Sequence, residues 1–138
     1  MSARGVARAV VLWPPIARPG YWFATLCAFL WGCLLLGHFQ YHRLPQGGIH
    51  YFTGLPRWAF GRGGTTVGAI FLTGPRVRNE GVFAHEAVHK QQWRRYGLTM
   101  IPLYIAAGSN ALTNRFEIEA GLELGGYVRR GSARREVG

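Results

Sequence analysis

Three hydrophobic regimes follow one another along the chain. The first is continuous. No residue from Pro19 to His42 is charged, and Tyr21 to Gly37 (YWFATLCAFLWGCLLLG) reads as apolar on all sides. A run of that length suits a tight membrane span, with Tyr21, Trp22, Phe39 and Tyr41 as interfacial anchors. The expectation is a single-pass transmembrane anchor over residues 21–41, set in a bacterial cytoplasmic membrane. A basic segment, residues 1–20, precedes it with Arg4, Arg8 and Arg18 and the breakers Pro14, Pro15 and Pro19. A cleaved signal peptide needs a shorter apolar region and a small-residue cleavage site. A lipoprotein box at Leu30-Trp31-Gly32-Cys33 is a poor fit because of Trp31. A small domain can rarely bury a helix that is apolar all round.

The second regime is short and punctuated. Residues 43–64 are rich in Gly and Pro, and Ile49 to Thr53 and Trp58 to Phe60 read as short strands between turns. Thr65 to Thr73 (TTVGAIFLT), bounded by Gly64 and Gly74-Pro75, reads as one longer strand. Gly68 inside it allows a backbone or a ligand to come close. The third regime is helical. Val82 to Tyr96 runs unbroken between Gly81 and Gly97, Leu98 to Ala107 follows with Pro102 suited to a first turn, and Asn114 to Val128 is a last helix capped by Thr113 or Asn114. The tail from Arg129, residues 129–138, is basic and polar enough to be disordered. The fold class is therefore α+β. One transmembrane helix precedes a small domain over residues 43–128, built from short antiparallel strands, a long helix, a connecting helix and a last helix that bears glutamates.

Composition adds a partner. The chain of 138 residues has a net charge of +10, and Lys90 is its single lysine. A basic surface favours anionic lipid or nucleic acid. No signature of RNA or DNA binding is present, which leaves a lipid bilayer with anionic lipid as the expected partner and no specific nucleic acid. Cys27 and Cys33 both lie in the apolar run, so cysteine usage says nothing of redox compartment. His38 and His42 are also four apart, but with five histidines in all the chain falls far short of a membrane di-iron array.

The chemistry sits in the long helix. His85-Glu86-Ala87-Val88-His89 is an H-E-x-x-H motif, and histidines four apart on a helix share one face and can grip one metal ion. They fall in a mostly apolar stripe, where an unpaired imidazole is costly. Glu86 points about a quarter turn away, in reach of a water at the metal. A catalytic zinc site needs a third protein ligand. On the last helix Glu119 and Glu123 lie on a charged face with Arg115, whereas Glu117 lies beside the apolar face of Phe116, Ala120, Leu124 and Tyr127. A carboxylate there needs a cation, so Glu117 is preferred, with Glu119 the alternative. Three nitrogen and oxygen ligands suit Zn2+ best, with Mn, Co and Fe as alternatives. Gln92, Tyr104 and Tyr127 are candidates for stabilising an oxyanion or supporting a ligand. Thr65, Thr66, Val67, Gly68, Ala69 and Ile70 are candidates for an edge strand that pairs with a peptide substrate.

A strand, an H-E-x-x-H helix and a later Glu-bearing helix together resemble a gluzincin-type zinc metalloprotease core. Asn114 to Ala120 (NRFEIEA) is similar to the E-x-x-A-D helix of membrane metalloproteases of the HtpX and CAAX-prenyl-protease kind, with Glu117 at the ligand position and Gly121 where those families carry Asp. The longer pattern through Gln92, Gly97, Pro102, Tyr104 and Phe116 resembles small bacterial membrane-associated proteins of unassigned function. Lys90 and Gln91 depart from the uncharged and apolar pair that usually follows the second histidine of zinc proteases. The resemblance implies a zinc-dependent peptidase with Glu86 as general base. The alternative is a membrane-anchored metal-binding or adaptor protein that keeps the fold without turnover.

Overall fold

The computed structural model of the protein describes residues 2–60, 64–74 and 80–127. Helix α1 (Ala3–Leu12) starts at Ser2, whose Oγ accepts from Gly5 N at 3.2 Å. Helix α2 (Pro14–Leu34) follows, with proline in its first turn. The apolar run does not stay helical to its end. Leu36 takes a left-handed conformation (φ 58°), and the chain turns back as strand β1 (His38–His42).

This corrects the expected anchor. Among the described residues no helix is long and apolar enough to cross a membrane, which overturns the single-pass placement in a bacterial membrane. The physical reason is side-chain size, which hydropathy ignores. Ala17, Tyr21, Ala24, Ala28 and Gly32 recur at helical spacing and are buried, so small residues form one face of α2 and pack onto the domain. A Cβ at Gly32 would stand 2.5 Å from the Phe52 ring. The residue must be glycine for helix and sheet to meet there.

Strand β2 (Ile49–Thr53) lies where the pattern placed it. Trp58 to Phe60 does not form a strand; a single 3-10 turn covers Arg57–Ala59. The expected long strand over Thr65 to Thr73 is a hairpin, β3 (Thr65–Val67) and β4 (Ile70–Leu72). Gly68 (φ +60°) makes the turn, and what approaches it is α2. The backbone N–H of Ala69 donates to Thr25 Oγ1 at 2.9 Å, and a Cβ at Gly68 would meet the Thr25 backbone at 2.5 Å. The sheet order is β1-β2-β4-β3. It is mixed rather than wholly antiparallel. β1 opposes β2 with His38 across from Thr53, β3 opposes β4 with Thr65 across from Leu72, and β2 runs parallel to β4 with Phe52 across from Leu72.

Both faces of the sheet are covered at β4 and along most of β2, as an unbroken apolar triplet such as Ile70-Phe71-Leu72 requires, while β1 is largely exposed. Phe52, Ile70 and Leu72 pack with Ala28 of α2. Ile49, Tyr51 and Phe71 point the other way, onto Phe83 and Ala87 of helix α3 (Glu80–Tyr96). A 3-10 turn (Gly97–Thr99) then leads into α4 (Met100–Ala106). Helix α5 (Arg115–Ala120) is capped by Asn114, whose Oδ1 accepts from Phe116 N at 2.9 Å. It stops at Gly121 (φ +98°), well short of the expected Val128. The tail from Arg129 lies outside the described residues. Tyr21, Trp93, Met100 and Phe116 join α2, α3, α4 and α5 in a third core cluster.

Candidate metal centre

Helix α3 buries Phe83, His85, Glu86, Ala87, His89, Gln92 and Trp93 against the sheet, α4 and α5. The apolar members hold the helix down, and the polar ones converge with it on Glu117. His85, His89 and Glu117 are buried together, and their ligand atoms lie within 4.8 Å of one another. The atoms that face each other are His85 Nε2, His89 Nε2 and Glu117 Oε2. The separations are 3.1 Å between the two nitrogens, 3.0 Å from His85 to Glu117 and 3.3 Å from His89 to Glu117. Glu119 and Glu123 are exposed. The third member of the group is therefore Glu117.

The opposite ring nitrogens decide the tautomers. His85 Nδ1 lies 2.8 Å from the carbonyl oxygen of Gly121, which can only accept. His89 Nδ1 lies 2.8 Å from Gln92 Oε1. The orientation of that amide follows from its other end, where Gln92 Nε2 donates to Phe116 O at 3.0 Å and to Glu119 Oε1 at 3.3 Å. Both Nδ1 atoms are thus donors, and in the neutral rings both Nε2 atoms carry lone pairs aimed at each other and at a carboxylate. Three converging lone pairs repel unless a proton on one of the rings or a metal cation stands among them. Ligand bonds of about 2.0–2.1 Å at tetrahedral angles separate neighbouring ligands by about 3.3 Å, close to all three separations seen here. The donor set fits a divalent metal such as zinc.

Position 121, where the proteases that the motif resembles carry Asp, is glycine here and contributes a backbone atom. The Gly121 carbonyl, just past the end of α5, accepts from Gly125 N at 3.0 Å and also holds the His85 ring. Gly125 closes the other side; a Cβ there would stand 2.6 Å from that ring. Neither contact is visible from residue types, because one uses a backbone atom and the other uses absent bulk. Gln92, a candidate from its place on the wheel, orients His89. Tyr104 donates its hydroxyl proton to Glu117 Oε1. The Tyr127 ring lies 5.8 Å from that of His85, centroid to centroid.

The electrostatics follow from burial set against pairing. Burial raises the Glu117 carboxyl, but hydrogen bonds from His85, His89 and Tyr104 outweigh it and hold the group well below the usual carboxylate range. Burial opposes charge on His89; the hydrogen bond to Glu117 and the nearby charge of Glu86 overcome that and raise its pKa. Burial raises the Glu86 carboxyl, with partial relief from His89 and Thr66. Burial and then Glu117 raise the Tyr104 phenol.

Glu86 is held by an interaction that spacing did not reveal: Thr66 Oγ1 donates to Glu86 Oε2 at 2.6 Å. Thr66 therefore serves the site through its side chain. Trp93 Nε1 donates to the Thr66 carbonyl at 2.9 Å, which ties β3 to α3 a second time. Of the candidate substrate-strand residues, Thr65, Thr66 and Val67 lie on β3 at the sheet edge. Gly68 and Ala69 form the turn, and Ile70 pairs on both sides within the sheet, so these three offer no free edge. A cavity of about 430 Å3 opens over the group. Glu86, His89 and Glu117 stand at its polar end, and Val67, Met100 and Ile101 are among its apolar lining. Comparison with protein-family models, curated proteins and solved structures finds no match.

Proposed function

We propose that the protein is a zinc-dependent hydrolase of peptidase type, with a zincin-like arrangement in which His85, His89 and Glu117 hold the metal. The observation that carries this reading is the convergence of three acceptor atoms whose partners on the far side leave them no proton to share when the rings are neutral. Zinc in such a site supplies Lewis acidity and lowers the pKa of water toward neutrality. Glu86 accepts the proton of the attacking water; its raised pKa suits a base that must later give that proton to a leaving amine. Thr66 fixes the carboxylate in rotation. The Tyr104 hydroxyl, at the cavity wall, donates its one proton to Glu117 Oε1, and would serve a developing oxyanion by exchanging that partner for it. Strand β3 ends the sheet order, and an extended peptide laid along the cavity would pair with those of its backbone groups other than the Thr66 carbonyl, which Trp93 holds.

The test is hydrolysis of a mixed peptide pool, read by mass spectrometry, with metal content measured on the same samples. The wild type is expected to bind zinc and cleave. Glu86→Gln is expected to keep the metal and lose about 10²–10⁴-fold in rate. Retained metal without cleavage in either form would favour a metal-binding protein without turnover. Absence of metal after supply of zinc would remove the reading altogether.

A further inference from the structure

Helix α2 has a second face that the core does not use. Trp22, Leu26, Leu30 and Leu34 form a stripe at four-residue spacing and are 61%, 53%, 57% and 75% exposed. Phe23 and Trp31 widen it, and Leu36 and Phe39 extend it past the helix end. Trp58 stands edge-on to Trp31 and is itself exposed. An uninterrupted apolar surface along a helix of 21 residues exceeds what scattered exposed side chains produce and marks an interaction surface.

Charge and chemistry point to the occupant. The stripe offers no side chain able to form directed hydrogen bonds with a particular protein, apart from the indole groups. Trp31 Nε1 already donates to Ala59 O at 2.9 Å. The first 79 residues contain eight arginines and no acidic residue, so everything that flanks the stripe in sequence is positive or neutral. At the N-terminal end of α2, Arg18 meets Arg94 and Arg95 of α3 around a shallow depression that Leu12 and Pro14 also line. The depression is also lined by Ala17 of the packed face, so the three guanidinium groups gather beside the N-terminal end of the helix; together with the apolar, tryptophan-rich stretch that follows they match a layer of phosphates bordering acyl chains. The helix cannot cross that layer, because its other face is committed to the sheet and no described helix is long and apolar enough. It can lie in it. We infer that the outer face of α2, from Trp22 to Leu34, docks into the interface of an anionic phospholipid bilayer, with Arg18, Arg94 and Arg95 on the lipid phosphates. This docking is independent of the metal centre and would stand if no hydrolysis were found.

The experiment is flotation of the full chain with vesicles of phosphatidylcholine alone and of phosphatidylcholine with phosphatidylglycerol. Wild-type protein is expected to float with the anionic vesicles and to be released by salt. Arg18→Gln, Arg94→Gln and Arg95→Gln are expected to weaken binding about fivefold each. The combined variant Phe23→Ser, Leu26→Ser, Leu30→Ser is expected to stop floating while keeping its melting curve. Should that variant not fold, quenching of wild-type tryptophan emission by brominated acyl chains decides instead, because an inserted Trp22 lies within reach of the bromines. No flotation on anionic vesicles, or no quenching, overturns the inference. So does flotation that survives in the folded serine variant, since binding would then need only the basic residues. A concentration-dependent dimer that the serine substitutions convert to monomer, without vesicle binding, assigns the face to a second copy of the chain and equally overturns it.

Discussion

Two regions of this molecule invert the ordinary distribution of polarity, in opposite senses. Around α3 and α5 a polar group of two imidazoles and a carboxylate is buried, with His85 at 1% and Glu117 at 3% exposure. Along the outside of α2 large apolar side chains face water. Burial of polar atoms is tolerated when each has a partner, and the pairings on the far sides of His85 and His89 are complete. What is left over points inward to one spot. The α2 face has the complementary surplus, apolar area left exposed among the described residues. The lesson is that a surplus of acceptors and a surplus of apolar surface are read in the same way, and each motivates the partner proposed for it, a cation in one case and an apolar layer in the other.

The comparison breaks most visibly at the metal group. Glu117→Ala is expected to abolish stoichiometric zinc binding, while Glu119→Ala keeps it, as read by elemental mass spectrometry of the purified chain. Equal loss from both would move the site. Gln92→Leu is a finer probe, because it removes the acceptor that fixes the His89 tautomer and leaves the ligands in place. Metal affinity is expected to fall about 10–100-fold, measured by competition with a chromogenic chelator. An unchanged affinity would show that the Nδ1 partners do not prepare the site.

Acidity separates the two states of that group. In metal-free protein the His89 pKa is raised above its unfolded value. The stability from its pairing is fully present below the unfolded value of about 6.5 and is lost as pH rises through the folded value. Glu86, also raised, acts with the same sign from the ordinary carboxyl value upward. Glu117, depressed, contributes above the ordinary carboxyl value and loses its contribution as pH falls. Metal-free protein should therefore melt highest in the mildly acidic window between those limits. Zinc needs neutral imidazoles, so the rise in melting temperature that it brings should grow from about pH 6 toward about pH 8. Parallel melting curves with and without zinc would take His89 out of the ligand set.

The smallest effects lie on α2, where the two faces should respond differently to changes of similar size. Gly32→Ala forces a methyl group into the Phe52 ring and is expected to cost about 1–3 kcal/mol. Leu30→Ser, on the outer face, should stay within about 0.5 kcal/mol. Chemical denaturation measures both. Equal losses would mean that the outer face is packed against something in the isolated chain.

Local spacing made much of the candidate site legible. His85 and His89 share a face because they are four apart on a helix with no breaker, and Glu117 leaves the Glu119 face for the same reason of angle. Asn114 at the start of α5 and Ile49 to Thr53 as a strand are likewise local readings. The errors have one source, since each concerned what a segment meets. Thr65 to Thr73 looks like one strand until α2 is placed beside Gly68, whose φ of +60° turns the chain there. The last helix looks longer than it is because hydropathy continues beyond Gly121, where the backbone does not.

The sequence by itself therefore determined the chemistry available: two imidazoles on one turn, a carboxylate between them, another carboxylate to follow beside an apolar face, and a basic, aromatic N-terminal third. Only the tertiary structure decided how these are used. It folded the apolar run into a half-buried helix rather than a span, because Ala24, Ala28 and Gly32 let the sheet and its hairpin approach one side of it, and Ala17 lets the Gly97 turn do the same. It also set a backbone carbonyl at Gly121 behind His85 and a threonine from β3 behind Glu86. Contacts between residues distant in sequence depend on size and on backbone direction, and neither is written in a pattern of hydrophobic and polar positions.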